Sequence, residues 1–455
     1  MAVLQAKSAL LADGWAQDVT VEIGADGRIA SVGRTPGDLP VDHHVDILLA
    51  APGNVHSHAF QRAMAGLTER RGTGDQDTFW TWRQLMYRFL DQLTPDDVQA
   101  IAAQVQMEML ETGYAAIGEF HYLHHQPDGT SYDDLAEMST RIAAAAAQTG
   151  IGLTLLPVLY QQGGPDGRAL GPGQIRFGND PQRYFDLLEA AGACLTALPA
   201  DTGLGAAPHS LRAVSPDALR AVADHASGPL HMHIAEQQDE VDAIQATYGA
   251  RPVRWLLDNQ PPDQRWCLIH CTQMQPRETA DLAATGAVAG LCPITEASLG
   301  DGIFDGVRWA NAGGAMAVGS DSNIRISLAE ELRQLEYSQR LRDHTRATLA
   351  GPGASTGRTL YDKVLAGGAQ ALGRNSGVIA PGQWADLVTL DGDAPDLIGR
   401  QGDTVLDTWI FANGDTLVRD VWSAGRHMVQ GGRHIARDAV TDGYRACLTR
   451  LAGVM

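Results

Sequence analysis

Residues Asp96–His121, DDVQAIAAQVQMEMLETGYAAIGEFH, contain one repeat of the architecture. Asp96–Gly113 reads as an amphipathic helix, and AAIGEFH from Ala115 reads as a short apolar strand. The strand ends on an acid and an imidazole, Glu119 and His121. A helix feeding an apolar strand is the signature of βα units and a parallel sheet.

Outward from that stretch the alternation recurs. Strand-like runs begin near Ala51, Ala115, Gly152, Gly205, Leu230, Trp266, Ala287 and Ala315, with helical stretches such as DDLAEMSTRIAAAAAQTG (Asp133–Gly150) between them. Eight repeats imply an α/β chain closed as a (β/α)8 TIM barrel rather than an open sheet. The two ends differ from the middle. VTVEIGADGRIASV (Val19–Val32) alternates as a hairpin, while Leu387–Leu390, Trp409–Phe411 and Asp420–Ile435 read as short strands punctuated by glycine. The expected organisation is therefore a small β-sandwich domain built from both termini, residues 1–50 and 376–455, around a catalytic barrel at 51–375.

A formal net charge of -20 argues against nucleic acid and anionic membranes as partners, because both would be repelled. An anionic small substrate remains compatible if arginines cluster locally. The five cysteines are odd in number and lack CxxC spacing, which fits a reducing cytoplasm. MAVLQAKSALLADGW lacks the basic and apolar regions of a signal peptide, and no apolar run reaches the ~18 residues of a membrane span, so neither export nor insertion is expected.

Barrel enzymes carry their chemistry at the C-terminal ends of the strands. Here His56 and His58 end the first run, Glu119 and His121 the second, His209 the fourth, His233 and Glu236 the fifth, His270 the sixth and Asp321 the eighth. His56 and His58, two apart on an extended segment, project from one face and can reach one cation. Alone, an HxH pair is weak evidence, since most are surface or core histidines. LHMHIAE, WCLIHC and GSDSN change that by placing imidazoles and an acid at the next expected barrel positions.

This joint pattern resembles the amidohydrolase superfamily over nearly the whole chain, including the tail GVIAPGQWADLVTLD (Gly377–Asp391). The resemblance implies a metal held by His56, His58, His233 and Asp321. Members that bridge two metals use a modified barrel lysine, whereas the lysines here are only Lys7 and Lys363, so one metal per subunit is expected. Nitrogen and oxygen donors with an open position suit Zn2+, although Fe2+ or Mn2+ would fit the same donors. A water acidified by the metal would then attack, with Asp321 and His270 accepting or orienting its proton and Glu236 passing a proton to the leaving nitrogen. The bland alternative for Glu236 is an exposed acid at a helix start.

HSHAFQRAMAGL (His56–Leu67), FWTWRQLMYR (Phe79–Arg88), EFHYLHH (Glu119–His125), HSLRAVSP (His209–Pro216) and TEASLGDGIF (Thr295–Phe304) resemble, more narrowly, the formimidoylglutamate deiminases of histidine breakdown. That resemblance implies hydrolysis of N-formimino-L-glutamate to N-formyl-L-glutamate and ammonia, and a homodimer. The substrate's two carboxylates call for cationic forks, for which Arg83 and Arg212 are the candidates. Gln61, Tyr122 and His209 complete the substrate-binding set carried over by motif. Against this, Arg83 would read as a solvated helix residue and Arg212 as the partner of a local acid.

Two other functions compete. A deaminase of the same scaffold acting on guanine, cytosine or a triazine would have no use for two guanidinium forks, and a non-catalytic barrel scaffold would not need the complete ligand set. Trp80 and Trp82 read as packing or lid residues, His124 and His125 as loop residues, His43 and His44 as an exposed pair, His225 as helical surface, and the cysteines as small buried hydrophobes.

Overall fold

The helix expected from Asp96 runs Pro95–Glu111 in the computed structural model of the chain, which describes residues 2–34, 40–69 and 79–453, with the backbone alone for 79–81. Its start is set by a reciprocal cap. The Thr94 hydroxyl accepts from the Asp97 backbone N–H at 3.3 Å while the Asp97 carboxylate accepts from the Thr94 N–H at 2.8 Å. Pro95 sits in the first turn, where an N–H has no helical partner. Ile101, Val105 and Met109 are fully buried, so the apolar stripe faces the interior.

Eight parallel strand positions follow in order: β1 (Gly53–Ser57), β2 (Ala116–His121), β3 (Gly152–Leu159), a split β4 (Gly203–Leu204 and Ala207–Pro208), β5 (Leu230–Ile234), β6 (Trp266–His270), β7 (Val288–Leu291) and β8 (Ala315–Val318). Neighbours pair in sequence order from β1 to β4 and from β5 to β8. Two bridges close the ring, Ala206 with Leu230 and Ser57 with Asp321. The barrel is thus complete, as the eight repeats imply. Val55, Ala116, Cys267, Ile269, Val288 and Ala317 come from five strands and pack with Leu372 into one cluster, so the barrel interior is a filled core.

The terminal segments form one eight-stranded sheet in the order Arg433–His434, Arg426–Gln430, Val418–Ser423, Leu387–Leu390, His43–Ala50, Ala2–Leu11, Gly14–Ile23, Ile29–Arg34. The two ends of the chain meet where His43–Ala50 pairs antiparallel with Leu387–Leu390. Trp409–Phe411 is a correction to the expected strands. It is the last turn of a helix, Thr404–Phe411, in which Trp409 and Ile410 are buried. Three apolar residues carry no periodicity, so their aromatic and β-branched character was the whole signal. Among the described residues no helix is long and apolar enough to cross a membrane.

Candidate metal centre and active site

The seam that closes the barrel also assembles the site. The Asp321 N–H donates to the His56 carbonyl and the His58 N–H donates to the Asp321 carbonyl, each at 2.9 Å. Such a close approach needs Gly319, where an added Cβ would stand 2.7 Å from the His56 backbone nitrogen and oxygen. Buried Asn54 pins the same seam. Its carboxamide donates to the Ser320 hydroxyl at 2.8 Å and accepts from the Ser320 N–H at 3.2 Å, and Ser320 in turn donates to Asn323 at 2.6 Å.

Two of the imidazoles are held in a defined tautomer. His58 Nδ1 donates to the Phe120 carbonyl at 3.0 Å and His233 Nδ1 donates to the His209 carbonyl at 3.2 Å, so both Nε2 atoms turn lone pairs inward. His56 Nε2 lies 3.1 Å from His233 Nε2, and Asp321 Oδ1 lies 3.3 Å from His58 Nε2 and 3.6 Å from His56 Nε2. Ligands held tetrahedrally at ~2.1 Å from one cation stand about 3.4 Å apart, and these separations bracket that value. Lone pairs converging at this spacing in a buried site would repel one another without a cation between them, so the donor set fits a metal.

Electrostatics favour the same state. Burial drives His58 down to about 3 and His56 and His233 well below their ordinary range, which keeps all three neutral, as metal ligation requires. Burial raises Asp321 to about 7, reinforced by Glu236 and Glu296 and opposed by His270; a bound dication would restore the carboxylate. His270 differs from the other three. Burial alone would depress it, but Glu236, Glu296 and Asp321 outweigh that and raise it to about 10. Its Nδ1 donates to Glu296 Oε1 at 3.3 Å, and its Nε2 lies 3.8 Å from both Glu236 Oε1 and Asp321 Oδ2.

Glu236 follows β5 on a turn held by its neighbours. Its N–H donates to Glu240 at 3.0 Å, and its carbonyl accepts from Thr272 at 2.7 Å. Arg212 donates to Glu236 Oε2 at 3.1 Å, so the local acid proposed as its bland partner is the catalytic candidate itself. A cavity open to solvent lies over this cluster. Its walls include Gln61, Arg83, Tyr122, His209 and Arg212, and its base includes His58, His233, Glu236, His270 and Asp321. All the residues singled out for binding or catalysis therefore line one space, with His56 directly beneath and fully buried.

Arg83, half-buried on the helix Phe79–Leu90, donates to the Tyr160 hydroxyl at 2.6 Å rather than standing in solvent. Gln61 donates to the Tyr122 hydroxyl at 2.9 Å. Trp82 also lines the cavity, while the Trp80 side chain lies outside the described residues. Glu119 and His121 stay off the cavity wall; both are buried, and Glu119 accepts from the Ala59 N–H at 2.8 Å. His124 and His125 lie in a loop as expected, yet both are buried. His44 and His225 are exposed, but His43 is half-buried against Trp422 and His427. Four cysteines are buried and Cys194 is half-buried.

Sequence reasoning passed over three features. Glu296 sits inside the highlighted TEASLGDGIF segment without a role, although it holds His270. Tyr160, the residue after β3, lines the cavity. The Asn54–Ser320–Asn323 network carries no motif that would mark it in sequence.

Three converging imidazoles, one carboxylate and an acid–imidazole pair at the mouth of a (β/α)8 barrel define a metal-dependent hydrolase site. The chain belongs to the amidohydrolase family, whose family model matches residues 47–428. Residues 1–40 match the model described as "Formimidoylglutamate deiminase HutF, N-terminal domain". The formimidoylglutamate deiminase of Pseudomonas aeruginosa is 50% identical over 96% of this chain and 97% of its own length. An amidohydrolase from Brucella melitensis, known from its crystal structure, is 47% identical with a TM-score of 0.94, covering 99% of this chain and 100% of that one. A zinc-bound adenosine deaminase from Xanthomonas campestris superposes with a TM-score of 0.82 at 21% identity, covering 99% of this chain and 98% of that one, which is a likeness of fold alone.

Proposed function

We propose that the chain hydrolyses N-formimino-L-glutamate to N-formyl-L-glutamate and ammonia at one zinc ion held by His56, His58, His233 and Asp321. The observation that carries this reading is the pair of guanidinium groups, Arg83 and Arg212, in the wall of a cavity based on those ligands. A substrate with two carboxylates uses both forks, whereas a neutral heterocycle uses neither. The close similarity to the Pseudomonas deiminase supports the same choice.

Zinc bound there would supply the Lewis acidity that brings the pKa of a water to about 7, and iron or manganese would suit the same donors. The protein's own groups do the rest. Asp321 and His270 face the attacking water and take or orient its proton. Glu236, steadied at Oε2 by Arg212, leaves Oε1 toward His270 and passes the proton to the leaving nitrogen. Water adds to the formimino carbon, the carbon–nitrogen bond breaks, and ammonia departs. Gln61, Tyr122 and His209 border the substrate together with the two arginines.

The same reading divides the chain into a terminal β domain, 1–50 with 376–455, and a barrel, 51–375. It further assigns the protein to the cytoplasm, supported by five free cysteines, and to a homodimer. Ammonia release from N-formimino-L-glutamate, N-formimino-L-aspartate and guanine tests it. The glutamate compound is expected to be strongly preferred, with N-formyl-L-glutamate formed in equal amount. Turnover of guanine at a comparable rate would overturn the assignment.

A further inference from the structure

The Tyr160 side chain presents a hydrogen-bond count that does not close among the described residues. Its hydroxyl accepts from Arg83 at 2.6 Å and from the Gln174 side-chain amide at 2.9 Å. Both must be donors. A guanidinium has no acceptor, and the Gln174 amide is oriented by its own oxygen, which accepts from the Gly171 N–H at 2.8 Å. Two incoming hydrogen bonds fill the acceptor capacity of the phenolic oxygen, and its own proton is left to be given away. Among the described residues no hydrogen bond donated by this hydroxyl is formed. Its ring is fixed edge-on against His209 at 4.6 Å and beside Phe177 at 5.6 Å, and the residue lines the cavity.

We infer that Tyr160 is a substrate-binding residue that donates its hydroxyl proton to the same carboxylate that Arg83 grips. This rests on the reading of the substrate as a dicarboxylate and adds a specificity determinant to it. Phenol and guanidinium side by side offer one anionic group two kinds of donor, and hydrogen bonds to charged partners are the stronger ones. A carboxylate fits both, whereas an uncharged group of the same size would forfeit the charge-assisted part.

Steady-state kinetics of the zinc-loaded wild type, Tyr160→Phe, Arg83→Met and the double variant decide it. The substrates, tested also as competitive inhibitors, are N-formimino-L-glutamate, N-formimino-L-norvaline without the distal carboxylate, and N-formimino-4-aminobutyrate without the other. Tyr160→Phe is expected to raise KM for the glutamate compound by roughly 10-fold or more, with kcat within about 2-fold. The penalty is expected to vanish with one analogue and persist with the other, and to recur when added to Arg83→Met. Unchanged thermal midpoint and metal content would show that the ring still packs.

An unchanged KM, an equal penalty on both analogues, or no further loss in the Arg83→Met background would overturn the inference; the last would make Tyr160 a prop for Arg83. A wild-type chain that releases no ammonia from N-formimino-L-glutamate removes the functional reading and this inference together. A wild-type chain that does, with normal KM in Tyr160→Phe, removes the inference alone.

Discussion

At the scale of single residues, the site is built from backbone conformations that side chains ordinarily avoid. Ala235, His270, Cys271, Asp321 and Asn323 all have positive φ, from 45° to 72°, and all lie at or shortly beyond the ends of β5, β6 or β8. Such residues cost on the order of 1–3 kcal/mol each and persist where the surroundings fix them. His270 shows the purpose. Ile269 belongs to the interior cluster, so strict alternation would turn the next side chain away, and the left-handed φ of 72° brings the imidazole back to the mouth. The place of His270 at a strand end was legible, but its dihedral was not, because no glycine or asparagine marks it. Glu296 was hidden for a related reason: it lies on a seven-residue helix, Pro293–Leu299, and its contact is with a residue 26 positions away. Glu296 accepts from His270 and from the Cys292 N–H at 2.8 Å, so Glu296→Leu is expected to lower kcat by about 10- to 100-fold with metal content retained. Glu296→Gln, which keeps an acceptor, is expected to recover most of that loss. Equal kinetics in wild type and Glu296→Leu would show that His270 orients itself.

At the scale of elements, the alternation of helix and strand was readable because long amphipathic helices and apolar strands repeat the same signal eight times. The short run Trp409–Phe411 had no such redundancy. The loop after β2 was legible as a loop, but its burial was not, since Tyr122–His125 pack under the segment Arg176–Asn179. Within that loop His125 is held neutral by burial and the neighbouring Arg183 charge. Its Nε2 donates to the Gly178 carbonyl and Asn179 Oδ1, both at 3.0 Å, and its Nδ1 accepts from Arg183 at 3.2 Å. Burial and then the Arg183 charge lower it from 6.5 to about 4. Between those values the unfolded chain binds a proton here that the folded chain refuses, so this group's stabilisation is complete above pH 6.5 and fades as pH falls toward 4. The slope is up to about 1.4 kcal/mol per pH unit. Urea unfolding of wild type and His125→Gln should therefore converge as pH drops from 6.5 to 4 and run parallel between 7 and 8. Parallel curves throughout would mean that the imidazole titrates normally in the folded protein.

At the scale of the whole molecule, closing the barrel and making the site are one event. The β8-to-β1 seam brings Asp321 against His56 and His58, while the β5 and β6 ends supply His233, Glu236 and His270 from the opposite part of the ring. A net charge of -20 surrounds a cavity whose wall holds Arg83 and Arg212, so any preference for an anionic substrate is local, not a property of the average surface. The ring, and the place of the candidate ligands at the strand ends, were legible because each depends on strand ends. The seam itself was not, since a bridge between Ser57 and Asp321 joins residues 264 positions apart without a shared motif. The most direct measurement is anomalous scattering at the zinc edge from crystals of the zinc-loaded protein. One peak per chain, within bonding distance of His56, His58, His233 and Asp321, is the expected result. A map with no peak there, or with its only peak at other side chains, would contradict a single cation held at this seam.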